Sequence, residues 1–148
     1  MPARKAFDYE DRMVQTVTNS QRMMASDLFQ LIFMTPPKPV AWLLMLRDRL
    51  MKPFGVKTDS DFKRLILFET EDKIVLGQKD KHLDFYVSLT CAPPLASWQD
   101  LRIRTCVNYH NVFGKLYFGC IRFVHIVLVK YLLKRAAKIW MENHPRYW

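Results

Sequence analysis

Residues 115–140 constrain the fold of this chain more than any other stretch. After Gly119 they contain neither glycine nor proline, and strong helix formers gather toward the end. A helix over roughly residues 114–140 is expected, long enough to cross a sheet and too apolar to stand alone in water. Tyr117, Ile121, Val124, Leu128, Tyr131 and Leu132 form the stripe expected to face that sheet. Phe118, Ile126, Val129 and Leu133 fall on the opposite side, so a second cover is expected there. The neighbouring helices, a second copy in a homodimer, or an anionic membrane surface would each supply it. The apolar run over 116–133 is 18 residues, close to the length of a membrane span. Arg122, His125 and Lys130 interrupt that run and argue against a span.

Upstream of the helix the apolar period changes from helical spacing to two. Four strands are expected at 64–70, 73–78, 81–91 and 101–110, three of them joined by short polar links around Glu71-Asp72 and Lys79-Asp80. Links this short favour antiparallel neighbours. Leu83, Phe85, Val87 and Leu89 alternate with His82, Asp84, Tyr86 and Ser88. Likewise Leu101, Ile103, Thr105, Val107 and Tyr109 alternate with Arg102, Arg104, Cys106, Asn108 and His110. Each strand therefore has one core face and one polar face.

The first third reads differently. Residues 9–18, with Val14, Thr16 and Val17, suggest a first strand. Asn19 or Ser20 then offers a helix N-cap, and Met24, Leu28, Leu31 and Ile32 sit at helical spacing within 20–34. Pro36, Pro37 and Pro39 stop that helix, and a second is expected from about 39 to 50, carrying Trp42 and Leu46 before Pro53 and Gly55. The expected fold class is thus α+β: strand, two short helices, antiparallel strands, long C-terminal helix.

With 148 residues, half of them apolar, one core suffices, so a single domain over 1–148 is expected, with 1–8 and 141–148 as loose tails. Cys91, Cys106 and Cys120 are odd in number and contain no Cys-x-x-Cys pair, which argues for a reducing compartment and against a disulfide framework or a zinc site. The polar N-terminus lacks the apolar stretch of a signal peptide. A cytoplasmic protein is expected, with the membrane periphery as the second location. The charge of +9 is uneven: seven Lys or Arg and one acid, Glu142, follow Gly114. The ordinary reading is a solvated helix flank; the other is attraction to anionic lipid or an acidic partner.

Three strings carry a resemblance: Gly77-Gln78-Lys79-Asp80-Lys81-His82-Leu83-Asp84-Phe85, Tyr109-His110-Asn111-Val112-Phe113-Gly114-Lys115-Leu116-Tyr117 and Tyr131-Leu132-Leu133-Lys134-Arg135-Ala136. Together with the Arg47-Asp48 pair before a Phe-Gly, they resemble a bacterial family, domain of unknown function 2867. That family is similar to the START-like, or helix-grip, superfamily, also known as SRPBCC and as pollen-allergen-like. The resemblance implies a curved antiparallel sheet around a long C-terminal helix, two short helices after strand one, and a cavity between them. It brings no catalytic residues. The family usually shows Pro-Phe-His in the last helix where this chain has Phe123-Val124-His125, and the superfamily commonly has six or seven strands where five are read here.

Chemistry is legible only in outline. If 81–91 and 101–110 form a hairpin, His82, Asp84, Cys106, Asn108 and His110 share one face, and a His beside a carboxylate is raw material for acid–base work. The simpler reading places that group on the solvated outside of the sheet. His125, alone on an apolar helix stretch, is read as a satisfied histidine before a catalytic one. Trp42, Trp98, Trp140 and the methionines of the first third are read as core before pocket lining.

No nucleotide, zincin or serine-hydrolase motif occurs, and neither a metal nor a cofactor is expected. The basic residues lack an interleaved aromatic platform, which disfavours nucleic acid. The leading expectation is a binding module for a hydrophobic small molecule or lipid, held by Trp42, Leu46, Phe85, Val87, Ile103, Tyr109, Tyr117, Ile121, Val124 and Leu128. One alternative is a cofactor-independent enzyme of the polyketide cyclase or aromatase type, using His82, Asp84, His110 or His125. The other is a membrane-surface or protein-interaction module built on Phe118, Ile126, Val129 and Leu133.

Overall fold

In a computed structural model of the chain, residues 7–34, 37–38, 62–79, 82–94 and 98–145 are described. Strand β1 spans Tyr9–Thr18 and is followed by helix α1, Ala25–Phe29, which continues as a π-helical turn, Gln30–Met34. A 3-10 turn, Phe62–Leu65, leads into β2, Ile66–Glu69, then β3, Lys73–Lys79, β4, Leu83–Cys91, and β5, Trp98–Tyr109. Helix α2, Val112–Asn143, completes an α+β architecture of the helix-grip kind. The helix expected at 39–50 lies outside the described residues, and with it Trp42 and Leu46.

The five strands form one antiparallel sheet in the order β1-β5-β4-β3-β2. The first strand thus pairs with the last, in unbroken register from Tyr9↔Val107 to Thr18↔Trp98. Alternation puts Met13, Val17, Leu76, Val87, Leu89, Leu101, Ile103 and Val107 on the covered face, where all are buried. α2 lies over β1 and β5, and α1 over β3 and β4.

Helix α1 starts later than its N-cap signal predicts. Residues 19–23 are taken up in holding the end of α2: Gln21 N donates to His144 O at 2.9 Å and Trp140 Nε1 donates to Gln21 O at 2.8 Å. Asn19 turns the chain there with a positive φ of 51°, a conformation asparagine tolerates better than most residues. Buried Gln99 then mimics a strand partner, accepting from Met23 N and donating to Met23 O, both at 2.9 Å. These bonds satisfy backbone groups that no ladder reaches.

The long helix runs a few residues beyond each expected end, from Val112 to Asn143, and Pro145 bridges to Ser20. Its rotation differs from the expectation. Phe118 and Leu133 are buried and Ile126 and Val129 pack against the core, whereas Val124 and Tyr131 are more than half exposed. The four residues expected to need a second cover therefore include two of the best covered in the helix.

The physical reason is close approach. At Gly114 an added Cβ would collide with the His82 carbonyl oxygen, so the first turn of α2 sits tight against the β3–β4 connection. At the other end Ala136 and Ala137 are fully buried, where small side chains let the backbone come near. Asn111 caps the start, its side chain accepting from Gly114 N at 2.9 Å. These three points fix the helix about its axis; apolar periodicity could not, because the helix is apolar nearly all round.

Candidate site between the sheet and the long helix

Parity along β1 puts Tyr9, Asp11, Met13 and Val17 on the covered face. Asp11 is therefore a carboxylate in a row of core positions. Its cross-strand partner is Thr105, which in turn faces Val87 on β4. Above this row α2 passes with Phe118 and His125, two turns apart, directed at the sheet.

The four polar groups converge. Tyr9 OH donates to Asp11 Oδ2 at 2.6 Å, and His125 Nε2 stands 3.6 Å from the same oxygen. His125 Nε2 is also 3.3 Å from Thr105 Oγ1. Both ionisable side chains are well covered, with 14% of Asp11 and 17% of His125 exposed. The second carboxylate oxygen, Asp11 Oδ1, is buried and receives no hydrogen bond from any of the described residues. Phe118 closes one side, its ring 4.8 Å from Tyr9, 5.9 Å from His125 and 6.3 Å from Tyr109.

Burial sets the electrostatics. It pushes the His125 imidazole below its ordinary range, and the Asp11 charge opposes but does not cancel that effect. At neutral pH the ring is therefore uncharged. The Tyr9 phenol is pushed up by burial, then by its hydrogen bond to Asp11, and stays protonated as a donor. Burial also raises Tyr109, with the Arg122 charge working against it. A carboxylate beside a neutral imidazole can anchor a hydrogen-bond donor or exchange a proton with it.

The sequence candidates separate onto the two faces of the sheet. On the outer face Asp84 and Asn108 are cross-strand partners, and His110 Nε2 meets Asp84 Oδ1 at 2.9 Å, so a His–carboxylate pair does form there. His82 instead meets Asn111 Nδ2 at 3.1 Å through Nδ1 and packs on Phe113. Glu10 joins this outer surface, held well below the usual carboxylate range, at about 2, by hydrogen bonds from Arg104 and Arg12. Cys106 is buried on that face as well. Of these candidates only His125 reaches the Asp11 group between sheet and helix.

Of the residues expected to hold a ligand, Val87 and Ile103 are buried on the covered face, while Phe85 and Leu128 pack against its core. Tyr109 borders Phe118, and Tyr117, half-buried, stacks on Phe113 with ring centroids 6.5 Å apart. Ile121 is half-buried and Val124 points to solvent, the latter a consequence of the helix rotation. Sequence reasoning missed Tyr9 and Asp11. The available signal was parity: both share the phase of Met13 and Val17 in β1.

An antiparallel sheet gripped by a long C-terminal helix, with an acid and an imidazole enclosed between them, is the class of protein defined here. The chain belongs to the family described as protein of unknown function DUF2867, which matches residues 3–132 and so spans Asp11, Thr105 and His125. A comparison with curated proteins finds no match.

Proposed function

We propose that this protein is a binding module for an apolar small molecule that carries a hydroxyl or N–H group, received between α2 and the β1–β5 part of the sheet. The observation that carries the reading is Asp11 Oδ1, a buried carboxylate oxygen without a donor among the described residues. Leaving such an atom unsatisfied costs on the order of 1–3 kcal/mol, more for a charged group, and a ligand donor relieves that cost. Phe118, Tyr9 and Tyr109 supply the apolar surroundings such a ligand needs. The likeness to START-like proteins points the same way, since that arrangement suits enclosure of a ligand between sheet and helix.

The test is twofold. Native mass spectrometry of the purified protein looks for a retained small molecule, and a series of phenols and naphthols is titrated while the His125 ring resonances are followed by NMR. Saturable shifts that weaken at least tenfold in Asp11→Asn are expected. A protein that carries no small molecule and shows no His125 response to any of these probes overturns the reading.

The His125–Asp11 pair also favours a second reading, a cofactor-independent enzyme that moves a proton on a bound aryl ketone. A neutral imidazole beside a carboxylate is equipped as a base at neutral pH. Deuterium uptake into an enolisable aryl ketone, dependent on the protein and lost in His125→Gln, would support it; uptake equal in the two proteins would exclude it.

A further inference from the structure

The side of α2 that faces away from the sheet is apolar where a surface helix is ordinarily polar. Val112, Leu116, Phe123, Val127 and Tyr131 recur at spacings of four and seven and are each at least half exposed. Val124, also exposed, widens the strip, and Gly119 and Cys120 lie within it without breaking it with a charge. Of the most apolar 18-residue stretch of this helix, only 11% is buried inside the fold.

The charges along the strip have one sign. Lys115 and Arg122 flank it, while Lys130, Lys134 and Lys138 continue its line toward the C-terminus. Among the described residues none of these three lysines, nor Lys115, has a carboxylate partner. The single acid of the helix, Glu142, comes a turn after the last of them. A second copy docked helix to helix offers these cations no acid except Glu142: in parallel it sets them against their own kind, and antiparallel against the apolar first half of the strip. An anionic lipid surface instead takes the apolar side chains into its headgroup boundary and meets the lysines with phosphates.

We infer that the outer face of α2 is a peripheral membrane-docking surface for anionic lipid, with Phe123 and Val127 inserting and Lys130, Lys134 and Lys138 contacting headgroups. The helix stays on its sheet through Phe118, Leu132, Leu133 and Ala136, so it lies in the interface plane and does not span. This inference does not depend on the ligand-binding reading: it uses the opposite face of the helix.

The full chain is tested by flotation with vesicles of phosphatidylcholine alone and of phosphatidylcholine with a third phosphatidylglycerol, beside its mass in solution. The expected result is binding to the anionic vesicles at least tenfold above the neutral ones, weakened by salt and lost in both Val127→Asp and Lys130→Glu with circular dichroism unchanged. Both positions are exposed, so these variants keep the fold. Two results overturn it: no flotation with either vesicle, or a stable dimer in solution that Val127→Asp converts to monomer while vesicle binding stays absent.

Discussion

The ring of His125, carried by the long C-terminal helix, stands 3.6 Å from the carboxylate of Asp11 on the first strand of the sheet. The contact joins the two ends of the fold across its core. Around it Tyr9 and Thr105 supply further polar atoms, and Phe118 shields the group. An interior required only to pack would place apolar residues at both positions, because replacing a buried polar pair by apolar groups of similar shape is often neutral or stabilising.

Asp11→Leu/His125→Leu replaces both members by apolar side chains and should leave stability unchanged or raise it by about 1 kcal/mol in urea titration. Asp11→Leu alone leaves the His125 ring beside Thr105 and should give less of that gain. A double variant destabilised by several kcal/mol would mean that the group holds the fold together.

Stability should depend on pH through His125. Its folded-state value is depressed by burial, so the unfolded chain takes up a proton first as pH falls below about 6.5. The contribution is complete above that value and is lost as pH falls toward the folded value. Urea midpoints measured from pH 8 down to about pH 5 should therefore fall, and His125→Leu should flatten that slope.

The two glycines of α2 should respond in opposite directions. A Cβ at Gly119 meets nothing within 4 Å, so Gly119→Ala removes a helix-interior glycine and should stabilise by about 0.5–1 kcal/mol. At Gly114 the same change runs into the His82 carbonyl and should cost about 1–3 kcal/mol. Thermal melts of the two variants compare them directly.

The rotation of α2 can be read by truncation. Leu133, 2% exposed, should lose about 2–5 kcal/mol on change to Ala. Val127→Ala, on the exposed face, should stay within about 0.5 kcal/mol. Equal costs at the two positions would mean that the helix presents another face to the sheet.

Thiol chemistry should be confined to one cysteine. Burial pushes the Cys91 thiol up to about 12 and raises Cys106 as well, whereas Cys120 is exposed on α2. Iodoacetamide at neutral pH should add one label to the folded protein and three after unfolding, counted by mass spectrometry.

Much of the element order is legible in the residues alone. The bounds of β1 follow from its alternation, and β3, β4 and β5 fall within a few residues of their expected limits. Each strand's two faces were readable too, because a period of two needs no tertiary information. The outer His110–Asp84 pair follows from that parity with the hairpin register. The pairing of β1 with β5 was not legible: it joins distant segments, and nothing local in either strand names its partner.

The sequence by itself determined a sheet whose strands each have one apolar face and a long helix to cover it, since period and composition act residue by residue. Only the tertiary structure decided which side of that helix meets the sheet. The helix is apolar nearly all round, so its rotation was left to Gly114 against the His82 carbonyl, the Asn111 cap and the small Ala136 and Ala137. That rotation brings His125 to Asp11 and turns Phe123 and Val127 outward. Both the enclosed site and the exposed strip are consequences of packing between segments far apart in the chain.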